Sequence, residues 1–265
     1  MTALGIIGWP LERTLSPKLH EYLFKITNIH GRYEKLPIEK VNALALKDLM
    51  RRHIGLNVTI PHKQSVYEEL KDISHFSKAV EATKAVNTIV QFDNEISLHN
   101  TDYKGFLAEM SRLNYKLINK TILILGDGGS SKSIQYALQE LNTKEVHIVS
   151  RTPKNQQIDY GDLESVSDKI NMIINTTPLG MPPYENNSPI EADIKFSNLE
   201  IVLDIGYNTK ESKFMKQYED IDLVNGLGML IAQGIESFNL WTKSKLSFLD
   251  LYEEIREILE EEMHD

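Results

Sequence analysis

Residues 121–132 read TILILGDGGSSK, an apolar run followed by a glycine-rich loop. The run Thr121–Leu125 predicts a parallel strand that is covered on both faces. The glycines after it predict a tight loop, and residues 133–141 predict a helix. Strand, glycine loop and helix in this order form the unit from which open α/β sheets are built.

Further apolar strands follow this unit at 145–149, 172–174 and 200–204. Strands that alternate with helices predict a doubly wound parallel sheet, which binds its ligand at the carboxyl ends of the strands. Before Lys120 the pattern is mixed, with strands, helices and a predicted hairpin around Asp93-Asn94. One of these helices is predicted over 41–53, with Val41, Leu44 and Leu49 on its inner face. The sequence therefore predicts an α/β protein made of two parts.

Length, composition and charge narrow the class of protein. The 265 residues suffice for two modest domains, and 41% hydrophobic with 25% charged residues is typical of globular proteins. A net charge of −9 argues against a nucleic-acid partner. The chain has no cysteine, no membrane-span pattern and no basic leader, so we expect a cytoplasmic protein without disulfides or thiolate metal sites.

The glycine loop predicts a nucleotide site. Backbone amides at Gly126, Gly128, Gly129 and Ser130 can approach a pyrophosphate at the start of a helix, although the third glycine of the dinucleotide fingerprint is absent. Asp127 is unfavourable there, because a carboxylate repels the ligand unless it points outward.

The end of the next strand indicates which nucleotide this site binds. It holds Ser150, Arg151 and Thr152, with Lys154 close behind, where an NAD or S-adenosylmethionine site typically has a carboxylate. A guanidinium suits a 2′-phosphate. The sequence therefore predicts NADP and argues against a methyltransferase.

The stretch Asn57–Lys63, NVTIPHK, places an amide, a hydroxyl and an ammonium group just beyond a short buried strand. Pro61 makes the chain turn, so Lys63 is predicted at the first turn of a helix. By itself Lys63 could be a solvated surface lysine, and Ser16 and Asp102 could each be a helix N-cap.

Together these residues make the chain resemble the shikimate dehydrogenase family over nearly its whole length. The resemblance is carried by Gly8–Pro10 with Thr14–His20, Asn57–Lys63, Ala85–Thr88, Asn100–Asp102, Asn175–Met181 and Gly226–Gln233. Three positions depart from the family pattern. Thr14 replaces a serine, Lys84 stands where glycine is common, and the segment around Tyr207 lacks a proline after Asn208.

The resemblance implies a substrate domain of residues 1–103 and 234–265 and an inserted Rossmann-like NADP domain of residues 104–233. It implies catalytic roles for Lys63 and Asp102. The implied substrate-binding residues are Thr14, Ser16, Asn57, Thr59, Asn87, Tyr207 and Gln233. The implied cofactor-binding residues are Gly126, Asp127, Gly128, Gly129, Ser130, Ser150, Arg151, Thr152, Lys154, Asn175, Thr176, Ile205 and Gly226.

The implied reaction is the reversible NADPH-dependent reduction of 3-dehydroshikimate to shikimate, a step of chorismate and aromatic amino acid biosynthesis. It implies NADP(H), no metal, a small-molecule substrate, and a monomer or homodimer without a membrane partner. A quinate or dual-specificity dehydrogenase and a non-catalytic NADP-responsive binding protein are the alternatives. A carboxylate beside Lys63 favours its charged form, so reduction is expected to run readily near neutrality and oxidation to need alkaline pH.

Overall fold

The computed structural model describes residues 1–264, which form two sheets and their covering helices. The strands are β1 (Thr2–Gly8), β2 (Gly31–Pro37), β3 (Gly55–Val58), β4 (His75–Phe76), β5 (Thr88–Phe92), β6 (Glu95–His99), β7 (Thr121–Leu125), β8 (Glu145–Val149), β9 (Met172–Asn175), β10 (Ile201–Asp204) and β11 (Asp222–Asn225). The helices are α1 (Ser16–Thr27), α2 (Ala43–Met50), α3 (Lys63–Leu70), α4 (Lys78–Thr83), α5 (Asp102–Arg112), α6 (Gly129–Gln139), α7 (Glu164–Ser167), α8 (Leu227–Thr242) and α9 (Phe248–His264).

The chain divides into two compact units. Unit 1 combines Met1–Arg112 with the C-terminal residues from Met229 onward, and unit 2 is Leu113–Gly228. The predicted fold, an α/β protein in which a second part is inserted into the first, is confirmed. The predicted domain bounds at 103 and 233 fall inside α5 and α8, whereas the units change over at 112 and 228. The functional assignment of the two domains stays a prediction.

The sheet of unit 2 is parallel throughout and has the order β11-β10-β9-β7-β8. The chain runs from β7 to β8 on one side and then returns to β9 on the other side of β7. This reversal places the ends of β7 and β9 next to each other, with Leu125 paired to Asn175. In open α/β sheets such a switch point forms a crevice at the carboxyl ends of the strands, and ligands bind there.

The sheet of unit 1 is mixed and has the order β2-β1-β3-β5-β6-β4. Because side chains alternate along a strand, the register places Tyr33, Leu4 and Gly55 in one row and Asn57 beside Ile6 on the same face. Helix α8 covers this face so closely that a Cβ on Gly55 would lie 2.1 Å from Trp241 Nε1.

The opposite face of that sheet packs against α2 and α3. Here one prediction is wrong, because Leu44 is 80% exposed and Leu46 is fully buried. The helix begins only at Ala43, after Asn42 accepts a hydrogen bond from the Ala45 amide. Its buried stripe consists of Leu46, Leu49 and Met50, and Leu44, five residues before Leu49, points about 140° away from Leu49.

Strand β11 and the short elements β4 and α4 were not predicted. Strand β11 has only Leu223 and Val224 as apolar residues, and an apolar pair is too short to show a period. Within residues 1–264, no helix has both the length and the apolar surface that are needed to cross a lipid bilayer.

Candidate active site

Lys63 and Asp102 lie together in unit 1. The chain leaves β3, turns at Pro61, where the His62 amide donates to the Thr59 carbonyl, and begins α3 at Lys63. Asp102 begins α5, and its Oδ2 lies 2.7 Å from Lys63 Nζ. The side chains are 12% and 8% exposed, so this pair is mostly shielded from water. Removing one partner of such a pair leaves a buried charge uncompensated.

Asn87 holds the other oxygen of Asp102. Its Nδ2 donates to Asp102 Oδ1 at 2.9 Å and to Thr101 Oγ1 at 2.8 Å. Its Oδ1 accepts from the Thr101 amide at 2.6 Å. The hairpin of β5 and β6 brings these segments together, because Thr88 pairs with His99. Asn87 therefore fixes the orientation of the carboxylate that faces Lys63.

Asn57 is 5% exposed, and its amide is used within the protein. Its Nδ2 donates to the Asn87 carbonyl oxygen at 3.2 Å, to Thr88 Oγ1 at 3.3 Å and to Ser237 Oγ at 3.0 Å. Its Oδ1 accepts from the Tyr33 hydroxyl at 2.7 Å. In this arrangement Asn57 supports its neighbours and has little capacity left for a ligand.

Helix α8 brings Gln233 to the same network. Gln233 Oε1 accepts from Asn87 Nδ2 at 3.3 Å, and its carbonyl oxygen accepts from Thr101 Oγ1 at 3.1 Å. Ser237, one turn further along, also donates to the Gln233 carbonyl. The half-buried Gln233 side chain is thus placed beside Asn87.

Thr14 and Ser16 form a small hydroxyl cluster. Thr14 Oγ1 donates to Ser16 Oγ at 3.2 Å and accepts from the Ser16 amide at 3.3 Å. Ser16 is the first residue of α1 and not its N-cap, which is Leu15. Neither bond uses the hydroxyl proton of Ser16, and the Thr14 hydroxyl can rotate its proton towards a ligand.

Thr59 follows β3, and the neighbouring loop after β1 lies against it. The Thr59 amide donates to the Ile7 carbonyl, and the Trp9 amide donates to the Ile60 carbonyl at 3.0 Å. A Cβ on Gly8 would lie 2.4 Å from Thr59 Cγ2, so this position requires glycine. The ends of two parallel strands therefore carry the predicted substrate loops side by side.

Tyr33, Thr88, Thr101 and Ser237 belong to the network but were not predicted as site residues. Thr88 and Thr101 lie inside recognised motifs, and Ser237 is one helical turn from Gln233, so helical spacing could have identified it. No local sequence pattern identifies Tyr33, because it contacts Asn57 across the intervening strand β1.

His20 stacks on Tyr33 and is fully buried, with 4.1 Å between ring centroids and an interplanar angle of 12°. Among the described residues, neither of its ring nitrogens has a hydrogen-bond partner. Burial lowers the pKa of His20 to about 3, and the nearby Asn57 side chain acts in the opposite direction. His20 is therefore neutral at physiological pH.

The glycine loop of unit 2 fits a phosphorylated nucleotide. Gly126 has a φ of +99°, which favours glycine, and a Cβ there would lie 2.9 Å from Thr176 Oγ1. A Cβ on Gly128 would meet nothing within 4 Å, so the loop has open space beside it. Helix α6 begins at Gly129, so its first amides are available to an anion.

The segment after β8 presents charge to solvent. Arg151, Thr152 and Lys154 are exposed, while Ser150 is buried and its Oγ accepts from the Thr152 amide at 3.3 Å. The pKa of Tyr160 is raised, and burial is the main cause. The charge of Arg151 acts to lower this pKa, and the charge of Asp127 acts to raise it. Both charges therefore lie close enough to the Tyr160 phenol to influence it.

Asn175 ends β9 and Thr176 follows it, and the side chains of both residues bond other parts of the protein. Asn175 Nδ2 donates to the Leu179 carbonyl at 3.1 Å, and its Oδ1 accepts from the Thr177 amide and hydroxyl. Thr176 Oγ1 donates to the Leu125 carbonyl at 2.6 Å. These bonds shape the edge of the crevice at the switch point.

Ile205 and Gly226 touch each other after β10 and β11. A Cβ on Gly226 would lie 2.0 Å from the Ile205 carbonyl oxygen. Before them, burial raises the pKa of Asp204, although hydrogen bonds from Ser212, Gly206 and Asn175 act against this. Tyr207 follows in the same loop of unit 2 and is half-buried.

Comparison with known proteins gives consistent matches. A family model described as the shikimate dehydrogenase substrate binding domain matches residues 6–89, and one described as the shikimate 5'-dehydrogenase C-terminal domain matches residues 226–248. The shikimate dehydrogenase (NADP(+)) of Clostridium beijerinckii is 35% identical over 257 residues, which cover 93% of this chain and 94% of that protein.

Solved structures agree with these matches. Shikimate dehydrogenase 1 from Peptoclostridium difficile is similar with a TM-score of 0.88 and 30% identity, covering 99% of each chain. Shikimate 5-dehydrogenase from Listeria monocytogenes, solved in complex with shikimate and NAD, is similar with a TM-score of 0.80 and 26% identity, covering 96% of each chain.

Proposed function

Since the chain belongs to the shikimate dehydrogenase family, we propose that it catalyses the reversible NADPH-dependent reduction of 3-dehydroshikimate to shikimate. This reaction is a step of chorismate and aromatic amino acid biosynthesis. The observation that carries the proposal is the shielded pair of Lys63 and Asp102, held by Asn87. We assign the catalytic roles to Lys63 and Asp102.

The chemistry requires a hydride at the carbonyl carbon and a proton at the carbonyl oxygen. Bound NADPH supplies the hydride. Lys63 Nζ donates a proton to the oxygen as negative charge develops on it, and Asp102 orients the ammonium group through its hydrogen bond. In the reverse direction the proton of the substrate hydroxyl returns to Lys63 Nζ. The expected difference in pH dependence between reduction and oxidation stays a prediction.

Polar side chains of unit 1 suit a carboxylated, hydroxylated ring. Thr14 and Ser16 offer hydroxyl donors for the carboxylate, and Thr59 and Gln233 can bond ring hydroxyls. Asn87 belongs to the proposed set, although its amide already bonds Asp102 and Thr101. Asn57 completes the proposed set in unit 1, although its amide is already engaged. Tyr207, in unit 2, is assigned to the substrate by the family resemblance alone. A site that bonds each hydroxyl rejects analogues that lack one, because its own polar groups are left unpaired.

We propose that NADP(H) lies on the glycine loop of unit 2. Gly126, Gly128, Gly129 and Ser130 would hold the pyrophosphate, despite the repulsion expected from Asp127. The segment Ser150–Lys154, whose Arg151, Thr152 and Lys154 are exposed, would hold the 2′-phosphate, with Arg151 as the main partner. Asn175, Thr176, Ile205 and Gly226 would shape the nicotinamide side. The cytoplasmic location and the monomeric or homodimeric state stay predictions.

One assay tests the reaction against its alternatives. Rates are measured with shikimate and with quinate, each with NADP⁺ and with NAD⁺, from the absorbance of reduced nicotinamide. We expect shikimate with NADP⁺ to be fastest. Comparable rates with quinate would indicate a dual-specificity enzyme. Absence of reduced cofactor in all four mixtures, with NADP⁺ still bound, would indicate a non-catalytic binding protein.

A variant tests the assigned cofactor residues. Arg151→Ala is expected to weaken NADP⁺ binding about tenfold or more and to leave NAD⁺ binding unchanged, because a charge-assisted hydrogen bond to phosphate is lost. Titration calorimetry measures both. Lys144→Ala is the matched control, since Lys144 is exposed at the opposite end of β8. Equal losses for both nucleotides would contradict the assignment of Arg151 to the 2′-phosphate.

A further inference from the structure

Tyr33 reaches the active-site network from an adjacent strand. It lies on β2, and its hydroxyl crosses β1 to donate to Asn57 Oδ1 on β3 at 2.7 Å. Its ring stacks on the buried ring of His20, which also touches the aromatic rings of Phe238 and Trp241. The phenol is therefore held in place by packing, with its hydroxyl aimed at Asn57.

The orientation of the Asn57 amide decides what its neighbours can do. Nδ2 faces the Asn87 carbonyl oxygen, Thr88 Oγ1 and Ser237 Oγ. The reversed amide would place Oδ1 against the Asn87 carbonyl, and two acceptors repel each other. In the observed orientation Oδ1 needs a donor in a buried place, and the Tyr33 hydroxyl supplies one.

Hydrogen bonds connect Asn57 to the Lys63 pair. Asn57 Nδ2 donates to the Asn87 carbonyl oxygen and to Thr88 Oγ1, and the Thr88 hydroxyl lies 3.0 Å from Asn87 Oδ1 and 2.8 Å from Ser237 Oγ. Asn87 Oδ1 also accepts from the Thr101 amide, so its Nδ2 faces Asp102 Oδ1 at 2.9 Å. The remaining oxygen of Asp102 faces Lys63. A connected series of hydrogen bonds thus runs from Tyr33 to the Lys63 pair.

We propose that Tyr33 is a positioning residue, which acts through Asn57, Thr88 and Asn87 to hold Asp102 toward Lys63. The inference rests on the proposed reaction. His20 assists by fixing the plane of the Tyr33 ring. Loss of the Tyr33 hydroxyl leaves Asn57 Oδ1 buried without this donor, so the amide rotates or shifts and the Asp102 carboxylate loses its fixed direction.

The test is Tyr33→Phe, which keeps the ring and its stacking on His20. We expect kcat for shikimate oxidation to fall about tenfold, as expected for one lost buried hydrogen bond, with the KM for NADP⁺ unchanged. Tyr22→Phe is the matched control, because the Tyr22 hydroxyl pairs with Glu254 on α9 of the same unit. This control is expected to keep the wild-type kcat.

A second variant and a double-mutant cycle distinguish a positioning role of Tyr33 from general destabilisation of the protein. Thr88→Val removes the middle hydroxyl with little change of volume and is expected to reduce kcat similarly. Combining Tyr33→Phe with Asn57→Leu is expected to reduce kcat no further than Asn57→Leu alone, because both act in one series. Folding of each variant is checked by its melting temperature.

Unchanged kcat in folded Tyr33→Phe and Thr88→Val proteins would overturn the inference, as would fully additive losses in the double variant. A wild-type enzyme without shikimate activity would instead refute the proposed function, so the two failures are distinguishable.

Discussion

Lys63 and Asp102 lie almost buried within a network of side-chain hydrogen bonds, whereas Arg151, Thr152 and Lys154 are exposed at the end of a strand. In unit 1 the side chains orient one another before any ligand arrives. In unit 2 the proposed binding groups are backbone amides of a loop and charges in solvent.

This difference indicates two ways of binding. A preorganised network suits a rigid, hydroxylated substrate, because its polar groups are already directed and lose little entropy on binding. An exposed cluster of charges suits a phosphate, and its attraction is screened by salt. We therefore expect substrate selectivity to depend on geometry and cofactor affinity to depend on ionic strength.

The largest effect is expected in the buried network. Lys63→Ala should lower kcat about 10²–10⁴-fold, the range of a general acid or base. Gln233→Ala should instead act mainly on the KM for shikimate, because the amide lies at the edge of the network. Steady-state kinetics of both variants distinguish these effects. Near-normal turnover in Lys63→Ala would contradict the catalytic role of Lys63 and its contrast with Gln233 as a binding residue.

A matched pair of glycine variants tests the glycine loop. Gly126→Ala should destabilise unit 2 by about 1–3 kcal/mol, because its left-handed backbone disfavours a side chain. Gly128→Ala should cost less than about 1 kcal/mol, as for a residue change at a helix N-cap. Urea unfolding measures both.

NADP⁺ titration of the same variants tests the open space beside Gly128. If a pyrophosphate lies there, Gly128→Ala should weaken binding roughly tenfold despite its near-normal stability. Unchanged affinity would place the nucleotide elsewhere.

Acid stability tests the packing beneath the network. The folded pKa of His20 is about 3, well below the ordinary value of 6.5. Below pH 6.5 the unfolded chain therefore binds more protons, and stability is lost as the pH falls towards 3. The stability difference between the wild type and His20→Phe should change by about 1.4 kcal/mol per pH unit in this window.

Urea unfolding between pH 6.5 and 4.5 measures that difference, in which the carboxylates shared by both proteins cancel. Parallel stability curves would show that His20 becomes charged within the fold and that its surroundings open to water.

The smallest effect is expected at Lys84, which has a φ of 53° and ends α4. Lys84→Gly removes the backbone cost, but it also removes the cation–π contact of Nζ with Tyr67 at 5.1 Å. The left-handed backbone costs about 1–2 kcal/mol and the cation–π contact contributes about 0.5–1 kcal/mol, so the two terms largely offset and stability should change little. Lys84→Ala keeps the backbone cost and loses the contact, so it should be the least stable of the three proteins.

Local sequence predicted the elements that local rules govern. The apolar run at Thr121 gave β7 with its observed bounds, and Asp93 and Asn94 both adopt the left-handed conformation predicted for the hairpin. The Leu44 prediction failed because Leu44 lies five residues before Leu49, which is about 140° round a helix of about 3.6 residues per turn, so both cannot lie in one buried stripe. Residues beside a motif could be found by spacing, as Ser237 shows.

The sequence by itself determined the two-part α/β fold, the family and the residue types at the site, because apolar period, turn chemistry and motif spacing are written along the chain. Only the tertiary structure decided that Lys63 meets Asp102 at 2.7 Å, that Asn57 is engaged, and that Tyr33 joins it across β1. Hydrogen bonds between strands depend on register and on which face a side chain takes, and no local pattern specifies the partner.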